Sequence, residues 1–276
     1  MSHAEAIDQH YGRESLVERL KAALAAAGFD AKRPRPEDLE PLDQFHSRGL
    51  DATVELAQAL QLDASTRVLD IGSGLGGPSR YLAATYGCTV QGIDLSPSFV
   101  DAANFLAQET GLTERVTYQC ADALALPFGA DAFDVAWTQH VAMNIADRAA
   151  LYREAFRVLR AGGRFAIFDV VAASDAPLHY PVPWARGPDT SFLVTAERMR
   201  ALLIEQGFRV AAWTDSTAAG IAWFAQRQRE RPQTAPAPAL GLDVVMGPGF
   251  REMAANLARN LREGRAALIQ AIVEKP

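Results

Sequence analysis

The sequence has 276 residues, 49% hydrophobic and 22% charged, with a formal net charge of −6 and a pI near 5.4. That length and apolar content suit one sizeable α/β domain plus a modest extension, and they exclude wholesale disorder. The acidic balance argues against nucleic acid as the main partner, because neutralising phosphates needs a basic face.

The opening residues, MSHAEAIDQHYGRE, are polar and charged, and no later run reaches membrane-spanning length. The expectation is a cytoplasmic protein with no membrane span. Cys88 and Cys120 belong to no CxxC pair and fall where buried strands are expected, so both read as small core hydrophobes. The five histidines are dispersed, and no metal site is expected.

In chain order, residues 14–27 read as an Ala-rich amphipathic helix with Leu16, Leu20, Ala23, Leu24 and Ala27 on one side, ended by Gly28. Lys32 to Pro36 is a loop, since each proline disfavours helix in the residue before it. A second helix is expected over 49–60. Residues 1–61 then form an N-terminal helical cap.

From Thr66 the rhythm changes to short apolar runs alternating with helical patterns, which implies βαβ units. RVLDI, TVQGID, VTYQC, FDVAWT, RFAIFDV, FRVAAW and LIQAIV are the strand candidates. Their near-continuous apolar character suits strands covered on both faces. A helix over 148–159 has Asp147 as N-cap and Gly162-Gly163 as its stop. The fold class expected for 62–276 is α/β, a doubly wound, Rossmann-like, seven-stranded and mostly parallel sheet. A lid follows the fifth strand near 172–194, and a largely helical insertion covers 217–262.

The stretch VLDIGSGLGGPSR centres the functional argument. A strand ends at Asp70, Gly72, Gly74, Gly76 and Gly77 form a tight loop, and Pro78 opens a helix. Ligands of open parallel sheets bind beyond the strands' carboxyl ends, where this loop lies. The glycines also satisfy the dinucleotide fingerprint, with Asp94 at ribose-binding distance, so an NAD-type oxidoreductase stays open. Asp70, however, suits a cationic amino group and would repel a pyrophosphate. Asp122 ends the third strand as if to accept from an adenine amino group, and no second substrate domain follows.

With VLDIGSGLGG, GIDLS, ADALALPF, FDVAWTQHVAMNI and EAFRVLRAGGRFAIFD in order, the chain resembles the class I S-adenosylmethionine (SAM)-dependent methyltransferases over 62–276. It is most similar to their small-molecule branch, with sarcosine/dimethylglycine, phosphoethanolamine, tocopherol and ubiquinone/menaquinone enzymes. The resemblance implies SAM as cofactor and a small-molecule acceptor. It implies that Asp70, Gly72, Ser73 and Gly74 hold the methionine part and that Asp94 grips the ribose. Leu95 flanks the adenine, Asp122 with Ala121 and Ala123 meets its amino group, and Thr138 and Gln139 line the sulfonium side. It also implies that Gln44, His46, Arg48 and Gly49 close over SAM, with Arg48 suited to its carboxylate.

His140 follows the fourth strand and Asp169 ends the fifth. By analogy with related methyltransferases, His140 is expected as base or substrate-orienting group, with Asp169 as its partner. Tyr11, His179, Tyr180, Trp184 and Trp223 are candidates for the acceptor side and lid, where aromatics can hold a cation. A non-catalytic SAM-binding protein remains an alternative. The sequence leaves open the acceptor, the methylated atom (N or O foremost) and the oligomeric state, a homodimer included.

Overall fold

Short apolar runs flanked by helices on both sides become seven strands of one sheet. They are β1 (Arg67–Ile71), β2 (Thr89–Asp94), β3 (Val116–Cys120), β4 (Phe133–Gln139), β5 (Leu159–Ala172), β6 (Arg209–Asp215) and β7 (Ala266–Glu274). The computed structural model describes residues 15–29, 32–230 and 238–276; Tyr11 lies outside them. The strand order is β3-β2-β1-β4-β5-β7-β6. The pairs from β3 to β5 are parallel, and β7 runs antiparallel between β5 and β6. The order reverses between β1 and β4, which opens a crevice beyond their carboxyl ends.

The helices are α1 (Leu16–Ala26), α2 (Glu40–Asp43), α3 (Gly49–Gln58), α4 (Gly77–Tyr86), α5 (Pro97–Thr110), α6 (Arg148–Val158), α7 (Ala196–Glu205), α8 (Thr217–Glu230), α9 (Leu242–Met246) and α10 (Phe250–Arg262). Local chemistry sets their starts. The side chains of Ser15, Ser96 and Asp147 accept the N–H groups of Glu18, Phe99 and Ala150, capping α1, α5 and α6.

Two expectations need correction. Helix α6 ends at Val158 and β5 begins at once, so Gly162-Gly163 is no helix stop. Leu159 already pairs with Phe133, and the glycines exchange backbone hydrogen bonds with Lys275. Cys88 is buried, whereas Cys120 is exposed. The reason is position: β3 is the sheet's edge, and Cys120 is its last residue.

The sheet faces two separate cores. Trp137, Phe168 and Leu268 share one with Ala52, Leu56 and Leu60 of the N-terminal segment. Phe165, Ile167 and Val171 share the other with Leu151, Tyr152 and Leu203. Alternation along β5 therefore sends Phe168 and Val170 to one face and Ile167, Asp169 and Val171 to the other. A third cluster joins Leu16, Leu20, Leu24, Leu39 and Leu42 to Leu75 in the glycine loop and Leu106 in α5.

A buried ion pair fastens these N-terminal helices to the glycine loop. Arg80 of α4 donates to Asp43 at the end of α2 (2.6 Å) and to the Leu75 carbonyl (2.6 Å), with both charged side chains at most 1% exposed. Gly77 permits the approach, because a Cβ there would stand 2.5 Å from the Asp43 carbonyl oxygen. Burial pushes the Asp43 carboxyl up to about 6, with Arg80 pulling against it. Replacing Arg80 by Met leaves that carboxylate stranded and should lower stability by about 3–5 kcal/mol. The double variant Arg80→Met/Asp43→Leu should regain most of the loss. Urea unfolding checks both, and a single variant as stable as the parent would mean that the pair contributes nothing.

Candidate functional site

The turn after β1 crosses to the next strand, where the N–H groups of Gly72 and Ser73 both donate to the Ile93 carbonyl (2.8 Å each). Gly72 has φ +73°, and a Cβ on it would meet Val141 at 2.5 Å, so the turns after β1 and β4 can touch only through glycine. Gly74 N–H donates to Asp94 Oδ2 (3.0 Å), and Ser96 N–H donates to Oδ1 (2.9 Å). Asp94 thus braces the loop, while a carboxylate has about four acceptor positions and keeps capacity for a ligand's hydroxyls.

Three features of this crevice fit SAM. Ser73 Oγ is buried without a hydrogen-bond partner. Asp70 is buried, and burial, with Asp94 adding to it, pushes its carboxyl up to about 7, although Ser79 donates to it at 2.6 Å. Such an acid gains its charge when a cation arrives. Leu95, beside Asp94, is 59% exposed, an apolar side chain left open where a flat ring would stack. Asp122 is exposed between half-buried Ala121 and Ala123, and it accepts the Leu124 N–H (2.8 Å). Thr138 turns back to donate to the Ile71 carbonyl (3.2 Å).

Across the crevice, the N-terminal segment meets the end of β4 in a buried polar network. The Thr53 hydroxyl lies 3.0 Å from Gln44 Oε1 and 3.2 Å from Gln139 Oε1, which also accepts from Trp137 Nε1–H (3.0 Å). His46 Nε2 lies 3.0 Å from the Gly49 carbonyl oxygen and 3.1 Å from the Gln139 amide nitrogen. Burial lowers His46 to about 4, with Arg48 adding to the fall and the Gly49 carbonyl resisting it, so the ring is neutral at neutral pH.

His140 stands just past this network in a left-handed backbone conformation, φ +53°. Strain of that kind in a non-glycine residue persists only where surroundings enforce it. The His140 N–H bonds to the Phe168 carbonyl (2.7 Å), its ring packs on the Phe168 ring (4.8 Å), and its Nε2 lies 3.2 Å from Ser47 Oγ.

Two expected roles, those of Asp169 and Arg48, are not met, and the acceptor-side candidates stand as follows. Asp169 does not partner His140, because it points to the opposite face of β5; there it pairs with Arg148 (3.1 Å), fully buried. Arg48 turns to Glu55 and forms a two-pronged ion pair, so its guanidinium is not offered to a cofactor carboxylate. His179 Nε2 bonds to Glu263 (2.7 Å), and Trp184 is buried with its indole N–H on Ser191 Oγ (2.9 Å). Trp223 carries the Arg227 guanidinium on its face at 4.6 Å. Tyr180 is half-buried against the core.

The segment 173–195 is stitched down. Asn260 of α10 brackets the His179 backbone, Asn256 donates to the Pro181 carbonyl, and Phe192 N–H donates to Met143. Opening of this segment as a lid would have to break these bonds or carry α10 with it. Ser47, Thr53 and Phe168 were not singled out from sequence. Ser47 sat unnoticed between His46 and Arg48, whereas Thr53 and Phe168 read as ordinary helix and strand residues.

Residues 69–167 match the family described as "Methyltransferase domain". The O-methyltransferase resE of Aspergillus sclerotiorum is 31% identical over 204 residues, covering 73% of this chain and 74% of that protein. The chain belongs to the SAM-dependent methyltransferases. This methyltransferase is also 38% identical to methyltransferase GfsG of Streptomyces halstedii over 138 residues, 50% of this chain and 49% of that one, so it spans about half of that relative's length. Among solved structures, the [4+2]-cyclase SpnF superposes with a TM-score of 0.71 at 24% identity, covering 100% of this chain and 97% of that one. That likeness shows the fold alone, and a cyclase on the same frame means the fold does not fix the reaction.

Burial, reinforced by neighbouring His46, holds His140 well below the usual imidazole value of 6.5. Lowering a histidine's pKa favours its neutral form, so the ring stays neutral down past pH 6.5. An NMR titration of the ring protons should show a His140 midpoint below 6.5; a midpoint at or above it contradicts the buried geometry.

Proposed function

We propose that this methyltransferase binds SAM in the β1–β4 crevice and transfers a methyl group to a small-molecule acceptor. What carries the reading is the line of groups along the crevice: the buried acid Asp70, which lacks a cationic partner, the orphaned Ser73 hydroxyl and the exposed Leu95 face. When bound, the cofactor supplies an electrophilic methyl group on sulfur. Asp70 and the Gly72–Gly74 turn hold its amino-acid end, and Asp94 accepts from the ribose hydroxyls. Leu95 covers the adenine, with Asp122, Ala121 and Ala123 along its edge. Thr138 and Gln139 border the reacting end.

Residues 44–49 act as a cap that excludes water from the crevice and joins the sheet through Gln44, His46 and Gln139. His140 stands where acceptor and cofactor meet, and as a neutral imidazole it takes the acceptor's proton or orients the acceptor. A calorimetric titration with SAM against NADH separates this reading from an oxidoreductase. Turnover with any acceptor separates it from a non-catalytic SAM-binding protein.

Asp94→Ala should weaken SAM binding by about 1.5–3 kcal/mol for each charge-assisted hydrogen bond lost. Calorimetry on the folded variant measures this, and unchanged affinity would mean that the ribose lies elsewhere. His140→Ala should leave SAM affinity nearly intact and lower kcat by about 10²–10⁴-fold if the ring removes a proton. A smaller loss with a raised KM indicates orientation instead, and full activity removes His140 from the reaction.

A further inference from the structure

We infer that Ser47 donates to one nitrogen of His140 and so fixes its single ring hydrogen on the other, Nδ1, which makes His140 a hydrogen-bond donor to the acceptor and not a base. This rests on the methyl-transfer reading above and deepens it, with Ser47 as a positioning residue.

Ser47 is brought to the ring by a braced turn. The Gly49 N–H closes the turn on the His46 carbonyl (3.3 Å), and Arg48 within it is left-handed, φ +68°. Both neighbours of Ser47 are fastened elsewhere. His46 Nε2 lies 3.0 Å from the Gly49 carbonyl oxygen, and the Arg48 guanidinium pairs with Glu55. Ser47 itself is 4% exposed. Among the described residues, His140 Nε2, at 3.2 Å, is the one hydrogen-bond partner of its Oγ.

A hydroxyl has one hydrogen and two lone pairs. Turned to accept from Nε2, Ser47 would leave its own hydrogen without an acceptor in a place almost closed to water. Turned to donate, it leaves only a lone pair unused, which is the smaller penalty. Nε2 therefore accepts. A neutral imidazole carries one N–H, and the bond made by one nitrogen decides the state of the other. The hydrogen of His140 sits on Nδ1.

Nδ1 is also the nitrogen left to meet a ligand. The Phe168 ring covers the imidazole at 4.8 Å, His46 meets it edge-on at 6.1 Å, and Ser47 occupies Nε2. The residue is nonetheless only half-buried. An Nδ1–H can bond a lone pair of the acceptor and fix its aim toward the methyl group. It has no lone pair with which to take a proton, so the acceptor's proton leaves to solvent. The partner expected for this ring was Asp169; Ser47 takes that place without bringing a charge.

The test reads tautomer and rate separately. Two-bond proton–nitrogen NMR spectra are recorded above neutral pH on the full chain carrying nitrogen-15 histidine, with saturating SAM. They should show His140 protonated on Nδ1 and bare on Nε2, the resonances being assigned by their loss in His140→Asn. Ser47→Ala should shift the Nε2 resonance, because the hydrogen bond it accepts is gone. Ser47→Thr keeps the hydroxyl and should leave that resonance near the parent's. Rates come from S-adenosylhomocysteine release with catechol, benzylamine and sarcosine supplied together. His140→Asn keeps an amide donor near the Nδ1 position, tolerates left-handed backbone and cannot take a proton. It should lower kcat by about tenfold or less, against about 10²–10⁴-fold for the loss of a base.

A His140 hydrogen found on Nε2 overturns the inference. So does an Nε2 resonance that Ser47→Ala leaves in place, and so does a loss of about 100-fold or more in His140→Asn. Where no acceptor in the mixture is methylated, the spectra alone decide. Failure to bind SAM in calorimetry overturns the cofactor reading beneath, while the tautomer is still read in the protein without SAM, so the two failures are told apart.

Discussion

Everything at the mouth of the crevice depends on Arg80 and Asp43. The glycine loop has few side chains of its own to hold its shape, so it is clasped from outside. Arg80 takes the Leu75 carbonyl from beneath and Asp43 from the N-terminal segment, all out of contact with water. A buried pair of this kind is weak as net stabilisation but strict about geometry, because any displacement leaves a charge stranded. It therefore fixes where α2 ends and, a few residues on, where Gln44, His46 and Ser47 arrive.

Those residues meet the end of β4 in a layer where two glutamines flank a core phenylalanine in register. Gln139, Phe168 and Gln270 are paired across three neighbouring strands and point to one face. Above them lie Thr53, His46 and the Arg48–Glu55 pair. The two non-glycine residues at this junction with left-handed backbone, Arg48 and His140, sit on opposite sides of the Ser47–His140 contact. The strain is concentrated where the N-terminal segment and the sheet close on each other.

The strands and caps were legible because their signals are local: apolar runs bounded by turns, and Ser or Asp ahead of a helical pattern. The glycine loop was legible because its spacing serves a tight turn whatever the ligand. Which way Asp169 points was not. β5 is apolar on both faces, so alternation in RFAIFDV leaves no polar stripe to reveal that Asp169 and Phe168 part company. The Arg148–Asp169 and Arg80–Asp43 pairs join residues 21 and 37 positions apart, and no periodicity links such distances. Arg48–Glu55 joins the residue just before α3 to one seven positions on, outside the i,i+3 and i,i+4 spacings of helical pairs, and it runs against the expected role of Arg48 at the cofactor.

The place of β7 has a consequence for how the protein is made. β6 bonds to no other strand than β7 among the described residues, and β5 has β7 as its outer neighbour. During synthesis, β5 and β6 emerge before Ala266–Glu274 exists, so β5 waits with one edge open and β6 waits unpaired. The β1–β4 half, built from parallel neighbours close in sequence, can assemble on the ribosome first. The half that carries Leu178, Ile221 and Phe224 acquires its floor only when β7 slides in. Chains stalled before that point expose the open edge of β5 and the wholly unpaired β6, which makes them the species most in need of a chaperone.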